Sequence, residues 1–167
     1  MRYNSIKDFD IKQGDGINVS LWTQGCSHRC KGCHNPQTWD FNGGKKFTPK
    51  VMTEIVDLLT KDGIHKNLSI LGGEPLEKVN LNDLAYLIAL VKATTKAKVW
   101  VWTGYKFEDL KRQDNEDLKF ILNNIDYLVD GEFIEACKVE SRYKGSSNQR
   151  VIDIEQTNKK GEVVLKG

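Results

Sequence analysis

The chain has 167 residues, 39% of them hydrophobic and 29% charged, the balance of one soluble globular domain able to bury a core without disulfides. Its 25 basic and 23 acidic residues leave a formal net charge of +2, which gives no reason to expect nucleic acid or a membrane surface as the main partner. The opening MRYNSIKDFDIKQGDG lacks the apolar core of a signal peptide, and no apolar run approaches the ~18 residues of a bilayer span, so a cytoplasmic protein with reduced thiols is expected.

Residues 17–23 (INVSLWT) predict the first strand, rich in β-branched and aromatic side chains. A helix follows Thr48, with Pro49 in its first turn and apolar positions at Val51, Ile55, Val56 and Leu59. Residues 68–71 (LSIL) predict a second strand, ended by Gly72 and Gly73. Helical periodicity from Leu81 to Thr94 runs through Leu84, Leu87, Ile88 and Val91. A third strand is expected at 98–102, a short helix from Glu116 to Asn123, and a fourth strand at 126–130. Two more strands are expected at 150–154 and 162–165, and the lysine-rich KVESRYKGSSNQR that leads into the first of them reads as a mobile loop.

Strands alternating with helices imply βαβ units, hence an α/β fold with a mainly parallel sheet and right-handed crossovers. A complete (β/α)₈ barrel needs ~250 residues. A single domain over 1–167 therefore fits an open, partial β/α barrel or a doubly wound sheet better. Such folds place ligands just beyond the carboxyl ends of their strands.

Three of the four cysteines lie within eight positions, as Cys26-x₃-Cys30-x₂-Cys33, in a loop that also holds Gly25 and Gly32. Three thiolates can hold three irons of a cubane cluster and leave the fourth iron open to a substrate. Other readings of the same residues are three buried small hydrophobes, an electron-transfer cluster with Cys137 as fourth ligand, and a structural zinc site completed by His28, His34 or Cys137. Leu71-Gly72-Gly73-Glu74-Pro75, beyond the second strand, combines two glycines that allow close backbone approach with a carboxylate suited to a cationic amine; alone it could be a turn. Thr103 and Tyr105, just beyond the third strand, and Asp130, at the end of the fourth, are placed to line a pocket, with a turn aspartate as the other reading of Asp130.

The cysteine spacing resembles the signature of the radical S-adenosylmethionine superfamily, and Gly72-Gly73-Glu74 resembles its GGE motif. Further strings resemble one branch, the activating enzymes of anaerobic (class III) ribonucleoside-triphosphate reductases: D-x-x-x-G-D-G-I-N-V-S-L-W near the start, Asn35-Pro36-Gln37-Thr38-Trp39, Val101-Trp102-Thr103-Gly104-Tyr105, Leu128-Val129-Asp130-Gly131-Glu132-Phe133 and Gly145-Ser146-Ser147-Asn148-Gln149-Arg150. The likeness covers about residues 3 to 154. It implies a [4Fe–4S] cluster on Cys26, Cys30 and Cys33, with S-adenosylmethionine chelating the open iron. It also implies that Gly32, Cys33 and His34 lie beside that cofactor, with the His34 ring near adenine, and that Gly72, Gly73 and Glu74 meet its amino group. Thr103 and Asp130 are further candidates for its binding. The implied partners are the reductase, as protein substrate receiving a glycyl radical, and a reduced flavodoxin or ferredoxin as electron donor. Activation of a different glycyl-radical enzyme, a simple electron carrier and a non-catalytic zinc module are the rivals.

Overall fold

In the computed structural model, which describes all residues from Met1 to Gly167, the strands are β1 (Arg2–Asp10), β2 (Asn18–Thr23), β3 (Lys45–Lys46), β4 (Asn67–Gly72), β5 (Val99–Trp102), β6 (Tyr127–Asp130) and β7 (Arg150–Asp153). The helices are α1 (Pro49–Thr60), α2 (Leu81–Thr94), α3 (Phe107–Lys111), α4 (Glu116–Asn124) and α5 (Ile154–Lys160). All seven strands join one sheet in the order β3-β1-β2-β4-β5-β6-β7, which does not close on itself.

The centre of the sheet, β2-β4-β5-β6, is parallel. Its strands advance in one direction, so right-handed crossovers put every connecting helix on the same face. Consistently, α1 packs on α2, α2 on α4 and α4 on α5. The flanks depart from the expected parallel pattern. β1 pairs antiparallel with β2 and β3, and β7 runs antiparallel to β6. Residues 162–165 form no strand of their own and reach β7 through an isolated bridge from Leu165 to Ile152, while α5 takes up the chain just after β7.

Local chemistry explains the element ends. The Thr48 hydroxyl accepts from Val51 N at the start of α1, and Pro49 occupies the position where no N–H is needed. Asn115 and Asp153 cap α4 and α5 in the same way. α1 then buries Val51, Ile55 and Leu59, spaced at one helical turn.

Alternation along the strands divides the two faces of the sheet. Val19, Leu21, Leu68, Ile70, Val99, Val101 and Leu128 join the helices in the main core. The residues between them face the other way, and the register aligns Ser20, Ser69, Trp100 and Tyr127 in one row. Trp100 is the pillar of that face. It stacks on Tyr127 at 4.4 Å, on Trp102 at 5.7 Å and on Tyr143 at 5.5 Å. Tyr143 lies in the segment read as a mobile loop. It is fastened there by its hydroxyl bond to Asp15 and by the Trp102 indole N–H, which donates to its carbonyl at 2.5 Å. Burial of so much aromatic surface overrides the polar composition of that loop. No helix is long and apolar enough to cross a membrane.

Candidate functional site

β2 and β4 end side by side, with Thr23 opposite Gly72, and the two loops that leave them are stitched together. Gly73 N donates to Thr23 O at 3.0 Å and Glu74 N to Gly25 O at 2.9 Å. Gly25 N and Cys26 N donate in turn to Thr38 O and Trp39 O at 2.7 and 3.2 Å. Gly73 allows this close approach, because a Cβ there would lie 2.5 Å from Gly25 O and 2.9 Å from Thr38 O. The cysteine loop is thus fixed over the carboxyl ends of the parallel strands.

A cleft opens beneath it, lined by all three clustered cysteines and by His28, His34, Asn35, Thr38, Trp39, Leu71, Gly72, Gly73, Trp102, Thr103, Gly104, Gly131, Phe133, Gly145 and Gln149. Among the residues singled out from sequence, Cys26, Cys30, Cys33, His34, Gly72, Gly73 and Thr103 therefore meet around one cleft. Gly32, Glu74 and Asp130 do not line it, and Tyr105 lies against His28 instead.

Each exception has a physical cause. Gly32, at φ +75°, faces Glu135, whose carboxylate oxygen would be 2.0 Å from an added Cβ. Glu74 is fully buried. Its carboxylate accepts from Leu76 N at 2.8 Å, Gly104 N at 2.6 Å and the Thr103 hydroxyl at 2.9 Å, and it meets His28 Nε2 at 2.7 Å. Asp130 is also buried and accepts from Phe107 N at 2.9 Å and Arg150 Nε at 3.0 Å. These two carboxylates, expected to meet the cofactor, are instead held by protein groups.

The sulfurs sit among backbone donors. The N–H groups of His28 and Arg29 point to Cys26, that of Phe133 to Cys30, and that of Asn35 to Cys33 at 3.4 Å. Burial nevertheless dominates at Cys26 and pushes its thiol up to about 11, so a metal binding there must displace a proton. Burial, with Glu132 adding to it, also raises Cys30. His28 is also raised, but from a different cause: its bond to Glu74 lifts it above the ordinary histidine value against the opposing effect of burial. Both its ring nitrogens face carboxylate oxygens, Glu74 at 2.7 Å and Glu132 at 3.0 Å.

A family model described as a 4Fe-4S single cluster domain matches residues 12–152. The chain is 36% identical over 152 residues to the anaerobic ribonucleoside-triphosphate reductase-activating protein of Enterobacteria phage T4, covering 90% of this chain and 93% of that one. It is 36% identical over 154 residues to the protein of the same name from Escherichia coli (strain K12), and equally to that of Salmonella typhi, in each case covering 90% of this chain and 97% of the relative. The chain belongs to the family of anaerobic ribonucleoside-triphosphate reductase-activating proteins.

The donor set fits the iron–sulfur cluster of an activating protein of this family. No three His, Cys, Asp or Glu side chains are gathered tightly enough to share a single ion. A cubane instead spreads its thiolates over separate irons. Of the histidines that a zinc site would need, His28 is taken up by its two carboxylates, while the His34 ring lies edge-on to Phe133 at 5.2 Å.

Sequence reasoning did not assign His28, Asn35, Trp39, Phe133, Gly145 or Gln149 to the cleft. Asn35 and Trp39 belong to the string that carried the resemblance, and Gly145 and Gln149 open and nearly close another, but no spacing rule marks a side chain from a distant loop. Gln149 closes the far wall by accepting from Gly145 N at 2.8 Å and donating to Gly131 O at 2.8 Å.

Proposed function

We propose that this chain binds a [4Fe–4S] cluster through Cys26, Cys30 and Cys33 and cleaves S-adenosylmethionine reductively. The resulting 5′-deoxyadenosyl radical takes a hydrogen atom from the Cα of a glycine in an anaerobic ribonucleoside-triphosphate reductase, leaving a glycyl radical and 5′-deoxyadenosine. The observation that carries this reading is the convergence of the three thiols, the Gly72-Gly73 turn and the His34 ring on one cleft at the carboxyl ends of the parallel strands. Names borne by relatives over nearly their whole length support the reductase as target.

When bound, the cluster supplies the electron for carbon–sulfur cleavage, drawn from a reduced flavodoxin or ferredoxin. The chain's own residues bind and exclude. The Gly72-Gly73 turn brings backbone to the cleft with no side chain in the way. His34, on Phe133, presents a flat ring to a purine. Trp39, Leu71 and Trp102 give the cleft the apolar wall that shields a primary alkyl radical from solvent. A sheet left open at both edges gives a protein loop room to enter, and a glycine Cα offers a hydrogen with no side chain to block approach. The open sheet thus supports a partial barrel of the radical S-adenosylmethionine type.

Anaerobic reconstitution followed by iron and sulfide analysis, then incubation with S-adenosylmethionine, dithionite and the cognate reductase, tests the reading. It expects 5′-deoxyadenosine and a glycine-centred EPR doublet. A preparation that takes up zinc but no iron, or forms no deoxyadenosine, overturns it.

A further inference from the structure

His28 stands midway between the first two clustered cysteines, yet its ring is held by residues far along the chain. Nε2 meets Glu74 just beyond β4 at 2.7 Å, and Nδ1 meets Glu132 just beyond β6 at 3.0 Å. The ring also lies against Gly104 beyond β5, where a Cβ would come within 2.7 Å, and edge-on to Tyr105 at 4.6 Å. Three consecutive parallel strands thus converge on one imidazole. Glu74 is itself fixed from behind by Leu76 N, Gly104 N and the Thr103 hydroxyl, so it forms a rigid anchor. Beside His28, Arg29 takes the left-handed conformation at φ 51°, which an unrestrained loop would tend to relax. Ser27 provides a separate tie, through N and Oγ to Glu77 at 2.9 and 2.6 Å.

We propose that His28 is a positioning residue that fastens the Cys26–Cys30 arc to the ends of β4, β5 and β6, so that Glu74 acts on the iron–sulfur cluster through His28. The inference rests on the cluster reading above and deepens it. Partners that orient metal ligands from behind typically change metal affinity by ~10–100-fold when removed. The two carboxylates divide the load: buried Glu74 sets the position, and Glu132, with a side chain 56% exposed, steadies it.

The test compares reconstituted wild type, His28→Phe, His28→Gln, Glu132→Ala and the His28→Phe/Glu132→Ala double variant. Iron release to a ferrous chelator, the midpoint potential of the cluster and far-UV circular dichroism are read for each. His28→Phe keeps the ring volume against Gly104 and Tyr105 but loses both ring nitrogens, and should release iron about tenfold faster with a shifted potential. His28→Gln, which keeps a donor for Glu74, should recover part of that loss. Glu132→Ala should show a smaller acceleration and add little in the double variant, because both substitutions cut one strut. Iron release within twofold of wild type and an unchanged potential in His28→Phe overturn the proposal, as does full additivity in the double variant. Should His28→Phe fail to fold, Glu132→Ala decides, and wild-type kinetics there overturn the proposal. Failure of wild type to take up iron would sink the cluster reading itself, an outcome distinct from equal retention in every protein.

Discussion

The Arg150 guanidinium donates through Nε to Asp130 Oδ1 at 3.0 Å and through Nη1 and Nη2 to the Glu108 carboxylate at 2.9 and 2.8 Å. One cation therefore ties β6, β7 and α3 together at the carboxyl edge of the sheet. Asp130 is nearly sealed from solvent, and Arg150 is the cation paired with it there.

Arg150→Leu should accordingly destabilise the protein by ~3 kcal/mol, the low end for a broken buried pair because Arg150 is itself partly exposed. Urea unfolding of the cluster-free chain measures this. S-adenosylmethionine affinity per reconstituted cluster should change less than twofold at temperatures where the variant is folded, since Asp130 does not line the cleft. A large loss of affinity at unchanged stability would return Asp130 to the cofactor site.

Glu108 carries a pH signature. Its bonds to Arg150 lower its carboxyl from 4.5 to about 2. A carboxyl depressed in the folded state contributes stability that is complete above the unfolded value and vanishes as pH falls through the folded one. Glu108→Gln should therefore cost ~0.5 kcal/mol near neutrality, the scale of a solvent-screened pair. The difference from wild type should shrink below pH 4.5 and disappear by about 2. Parallel urea titrations across that range check it, and a difference that grows toward acid contradicts the sign.

Removal of single thiols sorts the four cysteines. Cys26→Ala, Cys30→Ala and Cys33→Ala should each abolish deoxyadenosine formation and reduce bound iron, whereas Cys137→Ala should keep most of both. Cys137 lies in the short 3-10 turn Glu135–Cys137 and does not line the cleft. Iron and sulfide assays on anaerobically reconstituted variants decide, and full activity in any of the first three removes that residue from the ligand set.

Gly73→Ala and Gly63→Ala form a matched pair. At Gly73 an added methyl meets two backbone carbonyls below 3.0 Å and must push the cysteine loop off β4. At Gly63 nothing lies within 4 Å, and only the φ of +63° resists a side chain. Gly63→Ala should cost ~1 kcal/mol of stability and leave iron binding intact. Gly73→Ala should lose iron to a chelator faster than wild type, and equal iron retention in the two variants would show that the loop can yield at no cost.

Much of the centre was legible from local pattern. The alternation in INVSLWT and the one-turn spacing of Val51, Ile55 and Leu59 set β2 and α1 because neighbouring residues alone decide which face is apolar. The flanks were harder. β1 and β7 pair antiparallel with β2 and β6, the outer strands of the parallel centre, a choice that depends on where the chain returns and leaves no periodic mark. The polar 138–149 segment reads as a loop by composition, yet Tyr143 seats it on Trp100 across the sheet.

By itself the sequence determined the cysteine spacing, the glycine turn that faces it and the succession of strands and helices that brings both to one edge of the sheet. Tertiary structure alone decided the partners of the charged groups: Glu74 and Glu132 close on His28 from 46 and 104 residues away, and Arg150 claims Asp130 from 20. The reason is physical. Spacing and periodicity are written into adjacent residues, whereas a buried carboxylate takes whichever donor the folded chain sets within about 3 Å of it.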